Sequence, residues 1–191
     1  MPGARIERGD RLALRTVERD DVPFLQRAFA NPEIRYPLGN GVHRTLEEVE
    51  RRLEDDDQRQ FLVCLEPEDA TPGTPDGDEV RPIGAVAITG ADWRRPELVY
   101  WLVPDVHGEG YGTEAVSLVL EYVFRVYDTP AVGAGAYDHN DASRGLLESL
   151  GFTEEGRLRR YMFVDGEYRD LCQYGLLRRE WRRRTDAPDD G

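Results

Sequence analysis

The sequence contains no lysine: all 25 of its basic residues are arginine. That excludes several mechanisms at once, because a Walker A phosphate lysine, a Schiff-base lysine for pyridoxal chemistry and a Ser-Lys dyad each need the amine. Cysteine is almost as scarce. The two thiols, Cys64 and Cys172, sit in apolar, strand-like runs and are too few for a disulfide framework or a four-ligand zinc site. His43, His107 and His139 lie far apart without ligand spacing, so they read as loop or exposed histidines rather than metal ligands. No apolar run approaches a transmembrane span, and the first residues, Met1 to Arg8, carry no signal-peptide core; a soluble, cytoplasmic protein is expected.

Positive charge is in deficit too. Against 38 Asp and Glu residues the arginines leave a formal net charge of -13. A field of that sign repels phosphate, which argues against a membrane surface or a specific nucleic acid as partner. With lysine absent, such acidity fits a halophilic protein working in concentrated salt, where screening relieves self-repulsion; an acidic mesophilic protein is the alternative. The 39% of hydrophobic residues in a chain of 191 suffices for one domain. Its expected extent is residues 1–180, followed by a polar tail, 181–191. The arginines around Arg178 to Arg184 stand beside Asp186, Asp189 and Asp190, read as internal charge compensation, with an RNA or ribosome contact as the alternative.

Periodicity supplies the elements. Arg11 to Thr16 alternates like a half-buried strand, and Asp20 or Asp21 can cap a helix through Phe29 that stops near Asn31-Pro32. Thr45 and Glu48 form a capping-box signature ahead of Leu46, Val49 and Leu53, and the acidic run Asp55 to Asp57 marks an exit into solvent. Strands follow at Phe61–Leu65, Ile83–Thr89 and Glu97–Val103, the first two separated by a Pro- and Gly-rich loop, Glu66 to Pro82, without chemistry. Thr113 to Val126 is a strongly amphipathic helix, and Pro130 to Ala136 a strand of small residues. Asn140 caps a helix ending at Gly151, and two last strands join around Asp165-Gly166. This order predicts an α+β or α/β domain with a mixed, mostly antiparallel sheet of about six to seven strands flanked by about four helices.

The stretch from Glu97 to Val119 carries the chemistry. A strand runs through Pro104 into His107-Gly108-Glu109-Gly110-Tyr111-Gly112 and then directly into a helix. Glycines there let backbone N–H groups converge on an anion, with the helix dipole adding favourable field, and a phosphate or pyrophosphate is the natural ligand. A tight connection that needs glycine only for its dihedrals is the alternative. A dinucleotide fingerprint from Gly108 fails at Thr113, and a P-loop fails for want of lysine. The loop resembles the acetyl-CoA loop of the GCN5-related N-acetyltransferases, in which a Gln or Arg precedes the glycines; His107 departs from that pattern. Asn140-Asp141-Ala142-Ser143-Arg144 leading to Leu150-Gly151-Phe152 resembles the second cofactor segment of the family. The branch most similar acetylates N-terminal amines of ribosomal proteins.

The resemblance implies an α/β sandwich of that fold, with acetyl-CoA in a cleft between the Glu97–Val103 and Pro130–Ala136 strands. It places the cofactor on Leu102, Val103, His107, Gly108, Glu109, Gly110, Tyr111, Gly112, Thr113, Asn140 and Ser143. Attack of a neutral amine on a thioester needs the ammonium to lose a proton, and Glu97 matches the acidic residue in the role of base. It alternates with Val99 and Trp101, so it shares a strand face with apolar groups; a surface carboxylate paired with Arg94 or Arg95 is the other reading. Ser143 stands where a donor to the departing thiolate is expected, with Tyr161 as runner-up, although a first-turn serine also satisfies local backbone. Asn140 is explained by capping alone, and contact with the pantetheine arm is compatible with it. Trp93, Tyr100 and Trp101 read as core or cleft wall. The expected acceptor is a protein N-terminal amine, a small amine being the alternative; a non-catalytic acyl-CoA-binding module is a rival, and the protein is a monomer or homodimer.

Overall fold

In the computed structural model, residues 2–53, 58–66, 80–91 and 95–185 are described. The acidic run Asp55 to Asp57, Trp93, Arg94, most of the Glu66 to Pro82 loop and the aspartates after Thr185 lie outside them. The chain runs β1 (Arg5–Arg8), β2 (Leu12–Thr16), α1 (Val22–Ala30), α2 (Pro32–Arg35), α3 (Leu46–Leu53), β3 (Gln58–Leu65), β4 (Arg81–Thr89) and β5 (Glu97–Leu102). It continues with α4 (Tyr111–Val126), β6 (Ala131–Tyr137), α5 (Asp141–Ser149), β7 (Thr153–Val164), β8 (Glu167–Leu177) and α6 (Arg178–Thr185).

The eight strands among the described residues form one sheet in the order β1-β2-β3-β4-β5-β6-β8-β7, antiparallel except for β5 beside β6. Two features exceed the expectation of six to seven strands and about four helices: the edge strand β1, and the additional helices α2 and α6. Asn31-Pro32 stops α1 but also starts α2, since Asn31 accepts the Glu33 N–H and proline suits the first helical position. Asp21 does not cap α1 with its side chain; its carboxylate accepts the Glu18 N–H and closes the 3₁₀ turn ahead of the helix. Thr45 and Glu48 do make the reciprocal capping pair. The α6 helix buries Trp181 in the core, so it crosses the boundary set at residue 180.

The alternation read in Arg11 to Thr16 is overridden by topology. With β1 on one side and β3 on the other, β2 is buried from Leu12 to Arg15. Arg15 tolerates 4% exposure because its Nε meets Glu66 Oε1 at 2.6 Å, its Nη1 donates to Gly3 O at 2.7 Å, and Arg5 reaches the other Glu66 oxygen at 2.9 Å.

One sheet face carries the core under α4, with Val116, Val119, Leu120 and Val123 packed against Leu98, Val132 and Tyr174. The other carries a smaller cluster of Leu25, Ala28, Ile34, Val49 and Trp101 beneath α1, α2 and α3. The two faces meet the cleft at β5. Parallel pairing with β6 is confined to Glu97 opposite Gly133 and Leu98 opposite Ala134, although both strands continue. Beyond Leu98 the two strands no longer pair.

With 38 carboxylates and no lysine, self-repulsion opposes this fold in dilute buffer. The thermal midpoint is expected to rise by about 5 °C or more between dilute buffer and molar KCl. A flat midpoint in scanning calorimetry would leave an acidic surface without salt adaptation.

Candidate active site

A cavity of about 480 Å³ is bounded by the second half of β5, the loop before α4, the start of α4, α5 and α2; of the two strands expected to flank it, β5 lines it and β6 does not. Leu102, His107, Gly108, Gly110, Tyr111, Gly112, Thr113, Asn140 and Ser143 line it. Val103, Glu109, Glu97 and Tyr161 are not among its lining residues.

Local sequence explains the loop. Gly108 and Gly110 have φ of +84° and +80°, conformations that suit residues without a Cβ. Gly110 is the N-cap of α4 and provides no side-chain cap, so the first-turn N–H groups, which have no intrahelical acceptor, stay free for an anion. A Cβ on Gly108 would meet nothing within 4 Å, so the space above the loop is open, whereas one on Gly112 would come within 2.8 Å of Leu146, the close approach of α4 to α5. This cradle fits a diphosphate. His107, in the lining, is engaged at the strand end: its Nε2 lies 3.1 Å from Leu102 O, and since a carbonyl only accepts, that nitrogen carries the proton and braces the loop.

Asn140 performs the expected cap, with Oδ1 accepting the Ser143 N–H at 3.1 Å. The partner of Ser143 was not legible as such. Tyr100, read as wall, places its hydroxyl 2.7 Å from Ser143 Oγ. Burial pushes the Tyr100 phenol up to about 12, and the Ser143 hydrogen bond only partly offsets that. The available signal was strand parity: Leu98, Tyr100 and Leu102 share the face that packs on the α4 core.

Glu97 stands at the far end of β5 from the loop, half-buried, opposite Thr89 on one side and Gly133 on the other. By parity it belongs to the face of Trp101, which packs with Phe24 and Phe29 of α1. Arg95, offered as one partner for it, meets Glu155 at 2.6 Å. Tyr161 is 53% exposed on β7, beside the irregularity between Leu158 and Met162. The structure therefore gathers the glycine loop, Asn140, Ser143 and Tyr100 at the cavity, and sets Glu97 and Tyr161 outside its lining. Sequence reading also missed its outer wall, formed by Glu33, Ile34, Pro37 and Leu38 of α2 and the turn after it.

Comparison with known proteins agrees with this geometry. Residues 11–153 match the family model described as an acetyltransferase (GNAT) domain. The Bacillus subtilis protein named "Putative ribosomal N-acetyltransferase YdaF" is 36% identical over 88 residues, 46% of this chain and 48% of that protein, so the match spans about half of the relative's length. A spermidine N(1)-acetyltransferase of Vibrio cholerae is 24% identical over 181 residues, 92% of this chain and 98% of its own. The crystal structure of spermidine N-acetyltransferase from Vibrio cholerae in complex with CoA and spermine superposes with a TM-score of 0.77 at 23% identity, covering 91% of this chain and 99% of that one. No helix among the described residues is long and apolar enough to cross a membrane. With its glycine cradle at a helix N-terminus and a parted parallel strand pair beside it, the chain belongs to the GCN5-related N-acetyltransferase family, enzymes that move an acetyl group from acetyl-CoA to an amine.

Proposed function

We propose that the acceptor is the α-amine at the N-terminus of a polypeptide, a ribosomal protein foremost. The supporting observation is the scarcity of carboxylates at the cavity: among the described residues the acid in its lining is Glu33, on the outer wall. An α-amine, with a pKa near 8, is partly neutral at physiological pH, whereas a lysine-like or polyamine nitrogen near 10.4 needs strong help to lose its proton. A site with so little negative charge at hand suits the former.

Acetyl-CoA supplies an activated thioester when bound. The N–H groups from Gly108 to Thr113 hold its diphosphate and thereby orient it. Tyr100 keeps its proton at neutral pH, and its hydroxyl and Ser143 Oγ, 2.7 Å apart, share one hydrogen bond; with the tyrosine as its donor, the serine hydrogen is left for the departing sulfur. Glu97, on the opposite face of β5, accepts the amine proton from the acceptor side, through water where the gap requires it. In this reading acid and base stand on the two faces of one strand. Ser143→Ala is expected to lower kcat by about tenfold, since water replaces part of a single donor, and Tyr100→Phe by less; KM for acetyl-CoA should change little in both. Equal loss in kcat and affinity would assign Ser143 to the helix start alone.

The second reading, a small polyamine, is favoured by the net charge of -13, by Glu33 at the mouth, and by relatives bearing the spermidine name. Acetyl transfer followed by mass detection, with a ribosomal-protein N-terminal peptide, its N-blocked form, spermidine and spermine, separates the two. Turnover of the free peptide and none of the blocked one supports the proposal; efficient turnover of spermidine alone overturns it.

A further inference from the structure

The loop from His107 to Gly112 contains no arginine, and His107 is engaged by Leu102 O. Its order is imposed from far away in the sequence. Arg11, in the turn between β1 and β2, reaches the loop with its whole guanidinium: Nε meets Glu114 Oε2 at 2.9 Å, Nη1 donates to Glu109 O at 2.9 Å, and the plane lies 4.4 Å from the Tyr111 ring centre. The backbone N–H groups of Arg11 and Leu12 hold the other Glu114 oxygen at 2.8 and 3.1 Å.

A trans peptide directs its carbonyl and its N–H to opposite sides. Fixing Glu109 O toward Arg11 therefore turns the Gly110 N–H the other way, and Gly110 lines the cavity. The same guanidinium offsets the charge of Glu114, a first-turn carboxylate that otherwise competes with a phosphate for the positive end of α4. A lone surface ion pair would be worth little. Arg11 instead joins two hydrogen bonds and a ring contact in a planar fork, a geometry that fixes orientation. We propose that Arg11 is a positioning residue for the diphosphate cradle, locking the Glu109–Gly110 peptide in its anion-facing sense and neutralising Glu114 beside it. This rests on the glycine loop as the phosphate site.

The test compares acetyl-CoA with acetyl-pantetheine, which carries the same thioester and no phosphate, in wild type, Arg11→Ala, Arg11→Lys and the double variant Arg11→Ala/Glu114→Gln. The ratio of kcat/KM between the two donors should fall about tenfold in Arg11→Ala, through KM for acetyl-CoA. Lysine keeps the charge but not the fork, so Arg11→Lys should show a smaller fall, and removal of the Glu114 charge should restore part of the loss in the double variant. A role confined to stability lowers both donors alike, so an unchanged ratio overturns the proposal. Should Arg11→Ala fail to fold, Arg11→Lys decides by the same criterion. A wild type indifferent to the phosphates would remove the cradle itself and this proposal with it.

Discussion

Gly110→Val is expected to weaken acetyl-CoA binding by about two orders of magnitude while shifting the thermal midpoint by only a few degrees. Gly110 has φ +80°, and an L residue with a branched Cβ is strained there by about 1–3 kcal/mol. The loop relieves that strain by changing its dihedrals, which turns the peptide N–H groups away from their common focus. The added Cβ would lie 3.4 Å from the Arg11 guanidinium, a contact that this flexible side chain accommodates, so the effect comes through the backbone. The cost to the fold stays small because the position lies on an exposed loop and its neighbours in the core, Ala115 and Val116, begin a turn later. Gly108→Ala should fall between, sharing the sign of φ but placing its methyl in open space. Calorimetric titration with CoA measures both variants, and an affinity unchanged in Gly110→Val would refute the cradle.

The second large effect is expected from Glu97→Gln, which keeps shape but cannot take up a proton. At neutral pH kcat should fall by about 10²-fold, the lower end of what a general base contributes, with KM for acetyl-CoA retained. The deficit also carries information about the acceptor. As pH rises past about 8, an α-amine loses its own proton and the variant should approach wild type, whereas a polyamine nitrogen near 10.4 keeps the deficit well beyond pH 9. One pH series with a peptide acceptor therefore tests the base and the acceptor class together. Full activity of the variant across that range would return Glu97 to a structural role on the strand.

Much of this arrangement is legible in sequence because local chemistry dictates it. Gly108 and Gly110 before an amphipathic helix, Asn140 about three turns before Gly151, and Asp165-Gly166 between strands each follow from dihedral or capping demands of a few residues. The outer wall of the cavity was not legible, since Pro32 reads equally as the end of one helix and the first residue of the next. Nor was β1, whose strand character comes from its partner β2 and from the Glu66 carboxylate that holds Arg5. Arg15 shows the same limit: alternation exposes it, and only a third strand and a distant carboxylate make its burial tolerable. The pairing of Tyr100 with Ser143 joins residues 43 apart, a relation that periodicity cannot express.

The position of β8 between β6 and β7 bears on how the chain is made. A ribosome delivers residues in order, so β6 emerges with its outer edge unpaired and waits for a partner synthesised some thirty residues later, beyond α5 and β7. Arg178, directly after β8, then donates to the carbonyls of Phe124, Tyr127 and Thr129, tying the end of α4 to the last helix. A nascent chain stopped at residue 153, where the matched family segment ends, lacks both the strand and the clasp and exposes a bare sheet edge prone to association. Completion of the donor-binding half is thus one of the last events of synthesis, although its glycine loop leaves the ribosome much earlier.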